Sequence, residues 1–229
     1  MTRTLPRLLR FAACVLLALM ILPFALYALV TGLSGLLPDD APRGRFFTPG
    51  APLLNGAVFA HMMAGGLLSV LIIVQLVQGI RLRWPLVHRL TGRLLIAAAL
   101  ITGAGGLMYI AGRGTIGGPP MNAGFALYGG LMILAAIEAL RHARAQRFDR
   151  HRRWALRLFV LAIGSWLYRV HYGIWDMLGY EAGLATDFRS PFDLVQNVAF
   201  YLPYLILLEL WMRRRPATVQ RAISTQTRR

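Results

Sequence analysis

Histidines and charged residues embedded in long apolar runs are where this sequence could do chemistry. His61 lies early in the second apolar run, about 8 Å below that run's outer boundary, and His171 lies late in the fifth, about 10 Å below the same boundary. Two level imidazoles on different helices are the minimum arrangement for axial ligation of a b-type haem iron. Gly65, Gly66 and Gly164 lie nearby and would leave room for a macrocycle. The competing reading is helix packing, because a histidine within a membrane also serves as a hydrogen-bonding tie between helices. His88 and His151 form a second level pair at the opposite interface, inside the arginine-flanked phrases HRLTGR (88–93) and HRRW (151–154). A second haem there would set its propionates against Arg89, Arg93 or Arg153. Lipid headgroups offer the same residues an equally good environment. His142, in the same gap as His151, is expected to be solvated.

Charged residues form a further layer. Arg93 and Arg157 lie just inside their helices, Glu138 and Glu209 lie just before their helix ends, and Gln75 and Gln78 approach from the second run. Opposite charges at one depth predict ion pairs tying helices together, or else a polar path or substrate site. Arg169 falls within about 5 Å of the middle of its helix. That is deep for snorkelling, so a buried partner is expected: Asp176, or a bound anion such as a haem propionate.

The elements that must position these groups follow from composition. The chain has 229 residues, 57% hydrophobic, with a mean hydropathy of +0.55, 25 basic residues and 9 acidic ones. So much apolar surface excludes a soluble domain. The charge sits in gaps between apolar runs rather than on one polar domain, which excludes a nucleic-acid binder. The chain has no lysine, so Schiff-base chemistry is excluded, and its single cysteine, Cys14, can form no intrachain disulfide. A span needs about 20 apolar residues. Six segments qualify, at 9–33, 56–80, 90–111, 121–140, 154–178 and 191–212. The first is too long for a signal-peptide core and lacks a cleavage site, so it reads as a retained helix.

Arginine-rich gaps alternate with arginine-poor ones. The rich gaps hold Arg3, Arg7 and Arg10; Arg81, Arg83 and Arg89; Arg141 to Arg153; and Arg213 onward. The poor gaps hold Arg43, Arg45, Arg113 and Arg189, with Asp39, Asp40, Glu181 and Asp187. The positive-inside rule then places both termini in the cytoplasm. The expected fold is all-α: a bundle of six transmembrane helices in one domain, 1–212, followed by a short basic cytoplasmic tail, 213–229, in a bacterial inner membrane. Ser190-Pro191 reads as an N-cap followed by proline at the first helical position. Pro23 and Pro203 lie within spans and are expected to kink them.

In order, His61, Gln75, HRLTGR, HRRW, Arg169 and Glu209 resemble the pattern of the bacterial predicted-membrane-protein family catalogued as domain of unknown function 2306, over about residues 61–213. The resemblance marks His61, Gln75, His88, Arg93, His151, Arg153, Trp154, Arg169 and Glu209 as the residues to test. His171 is outside the pattern. The layout is also loosely similar in architecture to ascorbate-reducible cytochrome b proteins, although here the third and fourth helices carry no histidine inside the membrane.

Three functions compete. The first is a membrane electron-transfer protein holding haem b through His61 and His171, and a second haem through His88 and His151, with a quinone or a redox protein as partner. The second is a proton-linked transporter lined by Arg169, Glu138, Glu209 and the glutamines. The third is a non-catalytic scaffold or assembly partner. No nucleophile–base pair, phosphate loop or metal motif supports a soluble-type enzyme site.

Overall fold

The computed structural model describes residues 5–37 and 44–214, with side chains from Ala12 onward except Gln78. Arg3, Pro38, Asp39, Asp40, Pro42, Arg43 and the tail beyond Arg214 therefore lie outside the described residues, as do the side chains of Arg7, Arg10 and Gln78. Every regular element among the described residues is helical: α1 (Leu5–Leu36), α2 (Pro52–Leu76), α3 (Gln78–Arg83), α4 (Pro85–Arg113), α5 (Gly118–Arg144), α6 (Phe148–Met177), a 3₁₀ turn (Gly183–Thr186), α7 (Pro191–Ala199) and α8 (Leu202–Arg214). The all-α expectation holds among these residues.

Five stretches are long and apolar enough to cross a membrane: Ala12–Leu36, Pro52–Leu76, Pro85–Arg113, Gly118–Arg144 and Pro191–Arg214. The remaining long helix, α6, has 30 residues. At 1.5 Å per residue that is about 45 Å, ample for a span. Arg157, Arg169, His171 and five tyrosine or tryptophan rings make it the most polar of the long helices.

Two breaks modify the expected spans. The second ends at Leu76 rather than near Ile80, because Val77 is extended (φ −72°, ψ 101°) and Gln78 opens α3. The last is split between α7 and α8 around Phe200 and Tyr201. Pro203 explains the second break: it has no N–H to give the carbonyl four residues back, and its ring collides with that carbonyl. Pro23, by contrast, sits inside an unbroken α1. The N-cap expectation holds. Ser190 Oγ accepts from Asp193 N (3.2 Å), while Asp193 Oδ2 accepts from Ser190 N (3.0 Å), closing a capping box with Pro191 at N1.

The chain divides into two compact units, Met1–Ile133 and Leu134–Arg229. In the first, small residues set helix spacing. A Cβ added to Gly66 on α2 would stand 2.7 Å from the Ala25 carbonyl oxygen of α1, and one on Gly105 of α4 would stand 2.6 Å from the Ala57 carbonyl oxygen of α2. Backbones this close gain dispersion contacts that lipid tails cannot match, which is how membrane helices associate without a hydrophobic driving force. The core so formed holds Ile21, Ala25, Phe59, Leu68 and Ala99, while Leu16, Leu19, Val30 and Leu53 point outward. Short polar locks close the loops: Asn55 exchanges bonds with Thr48 (2.8 and 2.9 Å), and Asn122 Oδ1 accepts from Thr115 N (2.6 Å).

Gly66→Val should destabilise the fold by about 1–3 kcal/mol by forcing α1 away from α2. Gly56→Ala, where an added Cβ meets nothing within 4 Å, should leave stability within about 0.5 kcal/mol of the parent. Thermal unfolding in detergent separates the two.

Candidate functional site

The second unit is built around a buried carboxylate. Asp193 has 0% exposure. Its Oδ1 accepts from the Tyr172 hydroxyl (2.5 Å) and Gly183 N (2.9 Å), and its Oδ2 accepts from the Thr186 hydroxyl (2.7 Å), the Ser190 hydroxyl (2.7 Å) and Ser190 N (3.0 Å). These donors come from α6, the 3₁₀ turn and the N-cap of α7, so one carboxylate fixes all three. Gly183 adopts φ +62° at the point where its N–H reaches the acid, a conformation open to glycine without strain.

α7 is polar inside and apolar outside. Asp193, Gln196 and Asn197 are buried on one face, while Leu194 and Val195 are exposed. The buried face meets His171 of α6. His171 Nδ1 lies 2.9 Å from Gln196 Nε2 and 3.1 Å from Gln196 Oε1, and its Nε2 lies 2.8 Å from the Tyr204 hydroxyl of α8, so both ring nitrogens are hydrogen-bonded. Gln196 Nε2 also donates to the Tyr168 carbonyl (3.5 Å). The Tyr168 and Tyr172 hydroxyls lie 3.3 Å apart, joining this group to the Asp193 hub. Sequence reasoning found His171 and missed Asp193, Gln196 and Tyr204. The available signal was a polar stripe at i, i+3 and i+4 inside an otherwise apolar span.

His61 and His151 are held differently. His61 Nδ1–H donates to the Thr102 carbonyl of α4 (2.6 Å), and its ring rests on Gly105 and Gly106: a Cβ on Gly106 would stand 2.9 Å from Nδ1. His151 Nδ1–H donates to the Ala139 carbonyl of α5 (2.8 Å). A carbonyl can only accept, so in both rings Nδ1 carries the proton and Nε2 is the basic nitrogen. His88 is half-buried at the start of α4 and its carbonyl accepts from Gln75 Nε2 (3.2 Å), which also donates to the Thr91 hydroxyl (2.6 Å). Gln75 therefore locks α2 to HRLTGR.

The charged layer is only partly joined. Arg157 Nε meets Glu209 Oε1 at 2.5 Å, tying α6 to α8, and the Arg157 guanidinium lies 4.4 Å from the centre of the Trp154 ring. Glu138 pairs within its own helix, with Arg141 (2.7 Å) and His142 (3.3 Å). Arg93 is exposed and meets no acid among the described residues. His142 is not solvated as expected: it is 3% exposed, because its i,i+4 contact with Glu138 turns the ring inward. Arg169 is not buried either. It is exposed and its Nη1 donates to the Ser165 carbonyl one turn earlier (2.8 Å), a helical neighbour that the depth argument left out. Asp176, on the same helix, is likewise exposed.

For haem ligation the histidines divide. His171 does not fit, since both its nitrogens are bonded to side chains. His61 and His151 fit better, since a ligand histidine typically gives its other N–H to a carbonyl or carboxylate that sets ring and tautomer. No group of three or more histidine, cysteine or acidic side chains suited to a metal ion occurs among the described residues.

A family model described as a predicted membrane protein, DUF2306, matches residues 58–212, from α2 to the end of α8. No curated protein and no solved structure matches the chain.

Asp193→Ala would leave hydroxyl and N–H donors from three elements without an acceptor, each costing about 1–3 kcal/mol. Loss of at least about 3 kcal/mol in detergent unfolding is expected. Asp193→Asn should cost less, because its remaining oxygen still accepts.

Proposed function

The chain belongs to the DUF2306 family of predicted membrane proteins, and from that premise we propose that it is a six-span protein of the bacterial inner membrane, both termini cytoplasmic, that binds b-type haem for single-electron transfer. Six spans require α6 to cross the bilayer and α7 with α8 to act as one broken crossing. α6 is long enough, and partners from α7 and α8 satisfy several of its polar groups: Tyr172 with Asp193, His171 with Gln196 and Tyr204, Arg157 with Glu209. Intramembrane polar groups satisfied by neighbouring helices are what a bilayer requires. The strict alternation of arginine-rich and arginine-poor gaps supports the orientation.

The observation that carries the haem reading is His61, with Nδ1–H fixed on the Thr102 carbonyl and the ring seated on two glycines. With Nδ1 so engaged, Nε2 would be the nitrogen that meets iron. His151 repeats the Nδ1–H to carbonyl bond within the second unit, where Arg153 is exposed two residues on and would offer its guanidinium to a propionate. Haem would supply a reversible one-electron couple, and the chain's own contribution would be to orient the imidazoles, neutralise the propionates and exclude water. A quinone or a redox protein would be the partner. His171 is left out of the ligand set and serves as a tie between α6, α7 and α8.

Protein expressed with haem in excess and purified in detergent should show a Soret band and a sharp dithionite-reduced α band. His61→Ala and His151→Ala should each lower that colour and the double variant should abolish it, while His171→Gln should keep it. A colourless, well-folded protein would overturn the reading. In a Cys14→Ser background, a membrane-impermeant maleimide added outside should label Leu184→Cys, whose position is 63% exposed, and should spare Gln146→Cys. The reverse pattern would invert the topology.

A further inference from the structure

The turn between α5 and α6 carries Arg141, Arg144, Arg147, Arg150, Arg152 and Arg153, and Asp149 is the one acid within residues 139–156. All six guanidinium side chains belong to exposed residues. Arg141 meets the Glu138 carboxylate, whereas Arg144, Arg147 and Arg150 pair with no acid among the described residues. The backbone holds these cations close. Arg147 N donates to the His142 carbonyl (2.9 Å) and His151 Nδ1–H to the Ala139 carbonyl (2.8 Å), so the first turns of α6 lie against the last turns of α5. Arg144 and Arg147 are three residues apart, at most about 11 Å, and Arg150 follows Arg147 by roughly one helical turn. Like charges this close repel, and at the start of α6 the helix dipole opposes cations as well. Before the arginines, α5 is apolar enough to cross a membrane. Leu134 and Ile137 are 45% and 47% exposed. With Arg141 and Arg144 they fall at i, i+3, i+7 and i+10, within an arc of about 80° on one helix face.

We infer that this turn binds an anionic phospholipid. One acyl chain lies along Leu134 and Ile137, and Arg144 and Arg147 meet the phosphate, with Arg150 adding charge. Helix register sets the order: apolar side chains first, then guanidinium groups on the same face, Arg144 about 10 Å further along the axis than Ile137. A phospholipid has the same order along its length, acyl chain and then phosphate. A free phosphate would meet the arginines but leave the exposed Leu134 and Ile137 uncovered. A zwitterionic lipid would bring an ammonium group among cations that already repel one another. A net negative headgroup relieves that repulsion, and guanidinium–phosphate hydrogen bonds are charge-assisted. The site is independent of haem content.

The test uses delipidated full-length protein immobilised in an uncharged detergent, and measures retention of labelled phosphatidylglycerol or phosphatidylcholine with identical acyl chains. Phosphatidylglycerol should be preferred by about tenfold, the scale of two exposed guanidinium contacts, and the preference should shrink as salt rises. Arg144→Gln combined with Arg147→Gln should remove the preference. Arg213→Gln combined with Arg214→Gln, an equal loss of charge at the exposed end of α8, should leave it unchanged. Inorganic phosphate at matched ionic strength should not displace the lipid. Equal retention of the two lipids by the parent, or equal losses in the two double variants, would show unselective or bulk-charge binding and overturn the assignment. Displacement by inorganic phosphate would also overturn it, giving the turn to a soluble phosphate. Should the Arg144 and Arg147 double variant fail to fold, Arg144→Gln alone decides by the same comparison.

Discussion

In the hydrocarbon of a bilayer no water stands ready to satisfy an N–H, a hydroxyl or a carboxylate, and each such group left alone costs several kcal/mol. Burial inside the protein makes the same demand, and Asp193 in the second unit shows it most directly. A fully buried acid is tolerated because hydroxyl and amide donors from α6, the 3₁₀ turn and α7 converge on both of its oxygens. The same constraint turns α7 inside out, with Asp193, Gln196 and Asn197 within and Leu194 and Val195 without. Once α7 faces inward with polar groups, α6 must answer with polar groups of its own, and His171, Tyr168 and Tyr172 do so.

The first unit meets the constraint by a different route. Its helices carry few side chains that need partners, so association depends on close approach of backbones. Gly66 against the Ala25 carbonyl and Gly105 against the Ala57 carbonyl permit that approach. Polar contacts here are few and specific: Gln75 to the Thr91 hydroxyl and the His88 carbonyl, and His61 to the Thr102 carbonyl. Each joins α2 to α4 at one level, so register between the two helices is set at both ends of the crossing.

The histidines thus have different chemical prospects. A ring bonded at both nitrogens, as His171 is, acts as a structural tie and has no lone pair left for a metal. A ring that gives Nδ1–H to a carbonyl, as His61 and His151 do, has its tautomer fixed and its basic nitrogen defined. The distinction depends on partners tens of residues away, such as Thr102 for His61 and Tyr204 for His171, whereas sequence depth alone placed these two rings on equal terms.

Helical class, the positions of the long helices and the cap at Ser190 were legible in the sequence, because apolar run length, proline and the Ser-Pro pair act through local physics. The pairing of Arg157 with Glu209 was foreseen in kind, since matching depth on two helices brings opposite charges level. The exposure of Arg169, the burial of His142 and the break before Pro203 were not legible in full. Depth along a helix says how far a residue is from water, but not which way its side chain turns around the axis. Neighbouring helices decide that direction. Glu138 draws His142 inward, the Ser165 carbonyl takes the Arg169 guanidinium, and the polar face of α7 fixes which rings of α6 become ties.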